Sequence, residues 1–208
     1  MNATRSVLVA LGALTVFVIA ACSRDPGTES KPAVAGGVTA FVREANVGVA
    51  RAADLSDAPS FADAKRGFIA APQGQVKDAD GQVIWDFGAY DFVKGEAPPT
   101  VNPSLWRQAL LNNHAGLFKV TEGIWQLRGF DLANMTLVEG KSGWIVIDTL
   151  TARETAAAAL AFARQHLGNK PVSAVVFTHS HADHFGGALG VISAEEATSR
   201  NVPVVVPQ

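Results

Sequence analysis

Apolar residues in the second half of the chain come in short blocks with two different periods. Residues 117–120, 124–128, 135–139 and 144–147 are brief runs rich in β-branched and aromatic side chains. Glu122-Gly123, Gly129 and Gly140-Lys141-Ser142-Gly143 separate them, which is the punctuation of strands joined by tight turns. This spacing predicts an antiparallel meander. The period then lengthens. Ala156, Leu160, Ala163 and Leu167 recur at helical spacing, Thr151 with Glu154 reads as a capping box, and Gly168 stops the helix. Residues 172–177 return to a continuous apolar strand, residues 188–199 read as a further helix in whole or part, and residues 202–206 as one more strand. Helices alternating with strands in this way predict an α/β fold with chemistry at the strand ends.

Upstream the pattern is weaker. Phe41, Ala45 and Val49 predict a helix over residues 38–53. Residues 61–95 alternate short apolar pieces with Gly and Asp. Asp78-Ala79-Asp80-Gly81 has the acidity of a calcium loop, but it lacks the later glutamate of an EF-hand and reads better as a tight turn into Val83-Ile84-Trp85. Asn102-Pro103 is a helix start, with Asn as cap and Pro in the first turn. Leu105, Trp106 and Ala109 form the expected buried stripe of that helix.

The strand at residues 172–177 runs directly into Thr178-His179-Ser180-His181-Ala182-Asp183-His184-Phe185-Gly186-Gly187. Three imidazoles and a carboxylate within six positions serve neither a core nor a solvated loop. Imidazole nitrogen and carboxylate oxygen are zinc ligands, whereas structural zinc sites favour thiolates and closed tetrahedra. In extended chain, positions i and i+2 point to one side, so His179 and His181 can converge on one ion. A turn beyond them lets Asp183 and His184 address a second. Two ions about 4 Å apart can share an activated hydroxide and stabilise charge on a leaving oxygen. Hydrolysis is the chemistry implied. Gly186-Gly187 fits a tight turn where the backbone passes close to the site. Asp148, at the end of the strand 144–147, either orients a ligand histidine or caps the turn into the next helix. His166 reads as a helix-end residue and His114 as a surface or capping residue.

Charge and targeting signals add location. The net charge of -2 makes no electrostatic case for nucleic acid. Arg5 precedes an uncharged apolar run at residues 7–21, the length of a signal-peptide core and short for a membrane span. That run ends Ile19-Ala20-Ala21-Cys22, which resembles a bacterial lipobox, with ordinary cleavage leaving a free thiol as the alternative. Cys22 is the only cysteine, so the chain has no internal disulfide. Acylation at Cys22 would anchor it to a membrane. The expectation is an exported protein, lipid-anchored in the cell envelope at the periplasm or, given Ser23, the outer membrane.

The motif H-x-H-x-D-H is similar to the metal-binding signature of the metallo-β-lactamase superfamily. Within it, Gly129-Phe130-Asp131-Leu132-Ala133-Asn134-Met135-Thr136, Gly143-Trp144-Ile145-Val146-Ile147-Asp148, Arg66-Gly67-Phe68-Ile69-Ala70 and Asn102-Pro103-Ser104-Leu105-Trp106-Arg107-Gln108 resemble the alkyl sulfatase family. The resemblance runs from about Phe61 to the chain end. It implies the metallo-β-lactamase-type αβ/βα sandwich, with only its first half present. The corresponding division is a lipoprotein signal over residues 1–21, a tether and possible helix over 22–60, a family-specific segment over 61–115, and the first part of the hydrolase domain over 116–208.

The resemblance further implies hydrolysis of an alkyl sulfate ester to alcohol and inorganic sulfate with two zinc ions. His179 and His181 would hold one ion, Asp183 and His184 the other, with Asp183 also orienting the nucleophilic water. The full-length family implies a homodimer. Its remaining ligands lie later in the chain, whereas after His184 this sequence offers no histidine and only Glu195 and Glu196 as carboxylates. An incomplete site, with little activity of its own, is therefore expected. Two other readings share these four ligands. One is a superfamily hydrolase acting on a lactam, thioester or phosphodiester, and the other a non-catalytic metal-binding lipoprotein.

Overall fold

The computed structural model describes residues 37–208. The lipobox, Cys22 and the apolar leader lie outside the described residues. The chain runs α1 (Ala40–Ala52), α2 (Ala58–Lys65), β1 (Phe68–Ala70), β2 (Gln75–Lys77), β3 (Val83–Asp86), α3 (Pro103–Asn112), β4 (Gly116–Thr121), β5 (Ile124–Arg128), β6 (Met135–Glu139), β7 (Trp144–Ile147), α4 (Arg153–Leu167), β8 (Val172–Val176), α5 (Ala182–Phe185), α6 (Ala188–Val191), α7 (Ala194–Ser199) and β9 (Val204–Val205). A seven-stranded sheet is ordered β1-β4-β5-β6-β7-β8-β9, and β2 with β3 forms a separate hairpin.

The meander expected from the turn spacing is present, with β4 through β7 pairing antiparallel in chain order. Helix α4 then carries the chain across, so that β8 lies parallel to β7 and β9 parallel to β8. A parallel neighbour requires such a crossover because a tight turn can only reverse the chain. Alternation on the strands decides which face is covered. Met135, Leu137, Trp144 and Val146 are buried and share one cluster with Ala156, Ala159, Leu160 and Ala163 of α4. The intervening Thr136, Val138, Ile145 and Ile147 are half-buried on the opposite face.

Several local expectations are corrected. The capping box at Thr151 does not form. Helix α4 begins at Arg153 without a side-chain cap from its own first turn. Asp131, twenty residues earlier, takes that role: its carboxylate accepts from the Thr151 and Ala152 amides and from the Thr151 and Thr155 hydroxyls. A buried carboxylate gains more from four donors than a half-buried Glu154 gains from one amide. The helix expected over residues 188–199 is broken into α6 and α7 at Ser193. The Ser193 hydroxyl caps α7 by accepting from the Glu196 amide. The last strand is limited to Val204–Val205. Asn102 caps α3 as expected, accepting from Ser104 and Leu105, but Pro103 and Trp106 form its buried side while Leu105 is 63% exposed. The Phe41 stripe of α1 faces outward, with Phe41 80% exposed. Asp78 spends a carboxylate oxygen on the Asp80 and Gln82 amides, as a turn residue does.

Gly186 and Gly187 turn out to serve close packing. Neither has a positive φ; a Cβ on Gly187 would overlap the Thr149 and Ala152 carbonyls and the Ala156 methyl, and one on Gly186 the Thr151 carbonyl. The segment after the histidine motif is thereby seated on the turn between β7 and α4. Gly187→Ala is expected to destabilise by about 1–3 kcal/mol, because the obstructing atoms are mainly backbone. Gly48→Ala, in open space on α1, should instead stabilise slightly. Urea denaturation of the two variants checks this, and equal midpoints would refute the seating argument.

Candidate metal centre

The register collects the chemistry at one end of the sheet. Gly116 faces Arg128, Leu127 faces Met135, Thr136 faces Ile147, and Ile147 faces Val176. The start of β4, the end of β5, the start of β6 and the ends of β7 and β8 therefore share an edge. The histidine motif follows β8 at that edge.

The turn after β7 is strained there. Asp148 and Leu150 have φ of 58° and 64°, a left-handed conformation that disfavours side chains. Asp tolerates it through local hydrogen bonds; a fully buried Leu has no such compensation, so the surroundings hold it. Gly187 N–H donates to the Leu150 carbonyl at 2.9 Å, Thr149 N–H to the His184 carbonyl at 2.7 Å, and Asp148 N–H to Val176 at 2.9 Å.

This turn aims the Asp148 carboxylate at the motif. Its Oδ1 accepts the Thr178 amide at 2.8 Å, and its Oδ2 lies 2.8 Å from the Thr178 hydroxyl and 2.7 Å from His184 Nδ1. Burial pushes the Asp148 carboxyl up. The Thr178 amide, His184, the Thr178 hydroxyl and the charge of His184 outweigh it, and the net pKa lies below the ordinary 3.8. A carboxylate can only accept, so the Thr178 hydroxyl donates to it and offers a lone pair to His179 Nδ1, 3.0 Å away. Both His179 and His184 thus have Nδ1 occupied by the Asp148–Thr178 hub. Each keeps Nε2 for other partners, the usual arrangement of a metal-binding histidine.

Those free atoms face the other two residues of the motif. His179 Nε2 is 3.0 Å from His181 Nδ1, and His184 Nε2 is 3.4 Å from Asp183 Oδ2. Two nitrogens bound to one zinc at tetrahedral angles are about 3.3 Å apart, so each pair has the separation of donors sharing an ion. The rings of His179 and His184 are 4.0 Å apart, placing the two pairs side by side. Among the described residues, no group of three or more His, Cys, Asp or Glu converges on a single point. The donor chemistry fits two metal positions, with two candidate donors at each.

Of the other polar residues weighed in the sequence, His166 packs on Phe162 in the last turn of α4. His114 lines a cleft with Arg128 and Asp131 at the shared sheet edge. Burial, and then the charge of Lys65, lowers the His114 pKa. Thr178 and Asp131 carry roles that the sequence did not disclose. Thr178 belongs to the motif but is not a ligand type, and Asp131 acts across twenty residues. No local pattern marks either.

Asp148→Asn should lower zinc affinity about 10- to 100-fold, because it disturbs the orientation of two histidines. It should cost about 1–3 kcal/mol of stability at neutral pH. The sign with pH follows from the lowered pKa: the carboxylate contribution is full above 3.8 and is lost as pH falls through the lower folded value. The stability gap to wild type, read by urea denaturation, should therefore shrink in acid. A constant gap would mean the charge plays no part.

Residues 128–207 match the model of the metallo-beta-lactamase superfamily. An (R)-specific secondary-alkylsulfatase of Pseudomonas sp. is 48% identical over 206 residues, which is 98% of this chain and 30% of that protein. A linear primary-alkylsulfatase of Pseudomonas sp. is 43% identical over 196 residues, 93% of this chain and 29% of that one. The solved structure of a stereoselective inverting sec-alkylsulfatase from Pseudomonas sp. superposes with a TM-score of 0.75 at 51% identity, covering 81% of this chain and 26% of the other. The chain thus spans less than a third of the length of these relatives. In sequence along nearly its whole length, and in fold along most of it, the chain is similar to part of the alkylsulfatases, with residues 128–207 similar to the metallo-β-lactamase superfamily.

Proposed function

We propose that this chain contributes half of a dinuclear zinc site that hydrolyses alkyl sulfate esters to an alcohol and inorganic sulfate. The observation that carries the reading is the side-by-side pairing of His179 with His181 and of Asp183 with His184, set on the Asp148–Thr178 hub. It occurs in a chain whose relatives are named for alkyl sulfates. Bound zinc supplies Lewis acidity and lowers the pKa of water. The protein supplies the geometry. Thr178 and Asp148 hold the Nδ1 atoms of His179 and His184, so neither ring can rotate its Nε2 away. Asp183 places a carboxylate beside His184, where it serves both as ligand and as acceptor orienting an attacking water. The burial and backbone hydrogen bonds that hold the strained Asp148–Leu150 turn keep this arrangement set before substrate arrives, as preorganised catalysis requires.

A chimera tests the proposal directly. Residues 61–208 replace the matching segment of the Pseudomonas secondary-alkylsulfatase, and sulfate release from dodecyl sulfate is measured. Activity is expected, with loss on chelation and recovery with zinc. Asp183→Ala should cost about 10²-fold or more, beyond what a residue behind the ligands costs. Glu196→Ala, on α7, should cost little. Activity that survives complete metal removal, or equal effects of the two substitutions, would refute the reading. The bare 208-residue chain should show little turnover.

We also propose export and lipid anchoring through Cys22, supported by the apolar run and Ile19-Ala20-Ala21-Cys22. Metabolic labelling with a radioactive fatty acid should mark the wild type and not Cys22→Ser, and unlabelled wild type would overturn it.

A further inference from the structure

The superfamily match begins at residue 128, yet similarity to alkylsulfatases covers 98% of the chain. Whatever distinguishes these enzymes from the wider superfamily within this chain therefore draws on the residues before 128. Those residues build one wall of a cleft of about 650 Å³, a volume suited to a small molecule. Trp85, Phe87, Tyr90, Val93 and Leu111 come from that segment, and Leu132 faces them from the β5–β6 loop. The cleft is anchored to the sheet, since Trp85 Nε1 donates to the Gly129 carbonyl and Phe87 packs edge-on against Phe130.

Its position is set by the register. The cleft opens at the start of β4 and the end of β5, on the sheet edge that also carries the histidine motif. It touches none of the four motif residues. Three strand spacings separate the ends of β5 and β8, about 14 Å. That gap is the reach of a long alkyl chain and exceeds that of a short one. The two places are rigidly joined, because the Asp131 carboxylate next to Leu132 holds Thr151 and Thr155 beyond the Asp148–Leu150 turn.

The lining is mixed: His114, Asn112, Asn113, Asn134 and Arg128 share it with the apolar side chains, and the Arg128 guanidinium is engaged by Gln126 Oε1 and lies over the Phe118 ring. The carboxylates in the wall are spent on the protein: Asp131 on Thr151 and Thr155, and Asp86 on the Gln75 amide group and Gly88 N–H. No carboxylate is left for a cation. Meanwhile Leu132 is 77% and Tyr90 58% exposed, two large side chains kept in water in the lining of one cleft.

We propose that this cleft receives the distal part of the substrate's alkyl chain, with Leu132 and Tyr90 as the residues that set chain-length preference. The inference rests on the alkyl sulfate reading above, but its test does not depend on turnover. The 208-residue chain is titrated with linear alkyl-1-sulfonates of increasing length, which cannot be hydrolysed, below their micelle concentrations, following tryptophan fluorescence. Once the chain is long enough to enter the cleft, affinity should rise by up to about fourfold per added methylene. Leu132→Asp and Tyr90→Ser should flatten that gradient. Val120→Asp, at the β4–β5 hairpin on the far end of the sheet, should not, and neither should Asp183→Ala. An alkyl sulfonate carrying a terminal photoreactive diazirine should label peptides containing Tyr90 or Leu132. A gradient that persists in both cleft variants, labelling confined to other peptides, or a wild type without a gradient overturns the proposal. A preserved gradient alongside an inactive chimera would instead count against the hydrolytic reading alone.

Discussion

Asp148 is the residue through which the two halves of the site are tied together. It ends β7, adopts a left-handed backbone, and sends one carboxylate to Thr178 at the end of β8 and to His184 in the helical turn beyond. Two segments thirty or more residues apart are thereby held at one point. The parallel pairing of β7 with β8 makes this possible, because it places both strand ends on the same edge. Without α4 as a crossover the pairing would be lost, and with it the meeting of Asp148 and Thr178.

The packing around this point is arranged to hold a turn that the backbone alone would not choose. Leu150 is fully buried in the cluster under α4, while its carbonyl is bound by Gly187. Gly186 and Gly187 allow the chain after the motif to lie directly on the Thr149–Ala152 carbonyls. Asp131 secures the same turn from the other side. Hydrophobic burial and backbone hydrogen bonding thus offset a local conformational cost of about 1–3 kcal/mol per residue. The geometry of the histidines is a consequence of that balance.

The division of the sheet edge follows from this arrangement. The candidate metal donors lie at β8, where the superfamily likeness is found, and the cleft lies at β4 and β5, where the alkylsulfatase-like segment folds over the edge. On the proposed reading, hydrolysis and recognition of an apolar substrate tail would lie about 14 Å apart on one sheet. One can therefore vary without disturbing the other.

Much of this was legible in the sequence, for identifiable reasons. Turn glycines and β-branched runs located β5, β6 and β7 to the residue, since tight turns and pleated strands leave strong local signals. The His179–His184 motif pointed to metal chemistry, because imidazole and carboxylate at that spacing can converge on an ion. The sequence could not decide what lay across space. Asp148 had two equal local readings, and only the meeting of β7 with β8 put it against His184. Thr151 and Glu154 matched a capping box, yet Asp131 made a better cap from twenty residues away. Leu105 fitted the buried stripe of α3 but had nothing to pack against. His114 looked like an isolated surface residue until the register of β4 on β5 set it in a cleft with Arg128. Short-range patterns specify what a segment can become. Which of its side chains find partners is fixed by the register and crossover that bring distant segments to one edge.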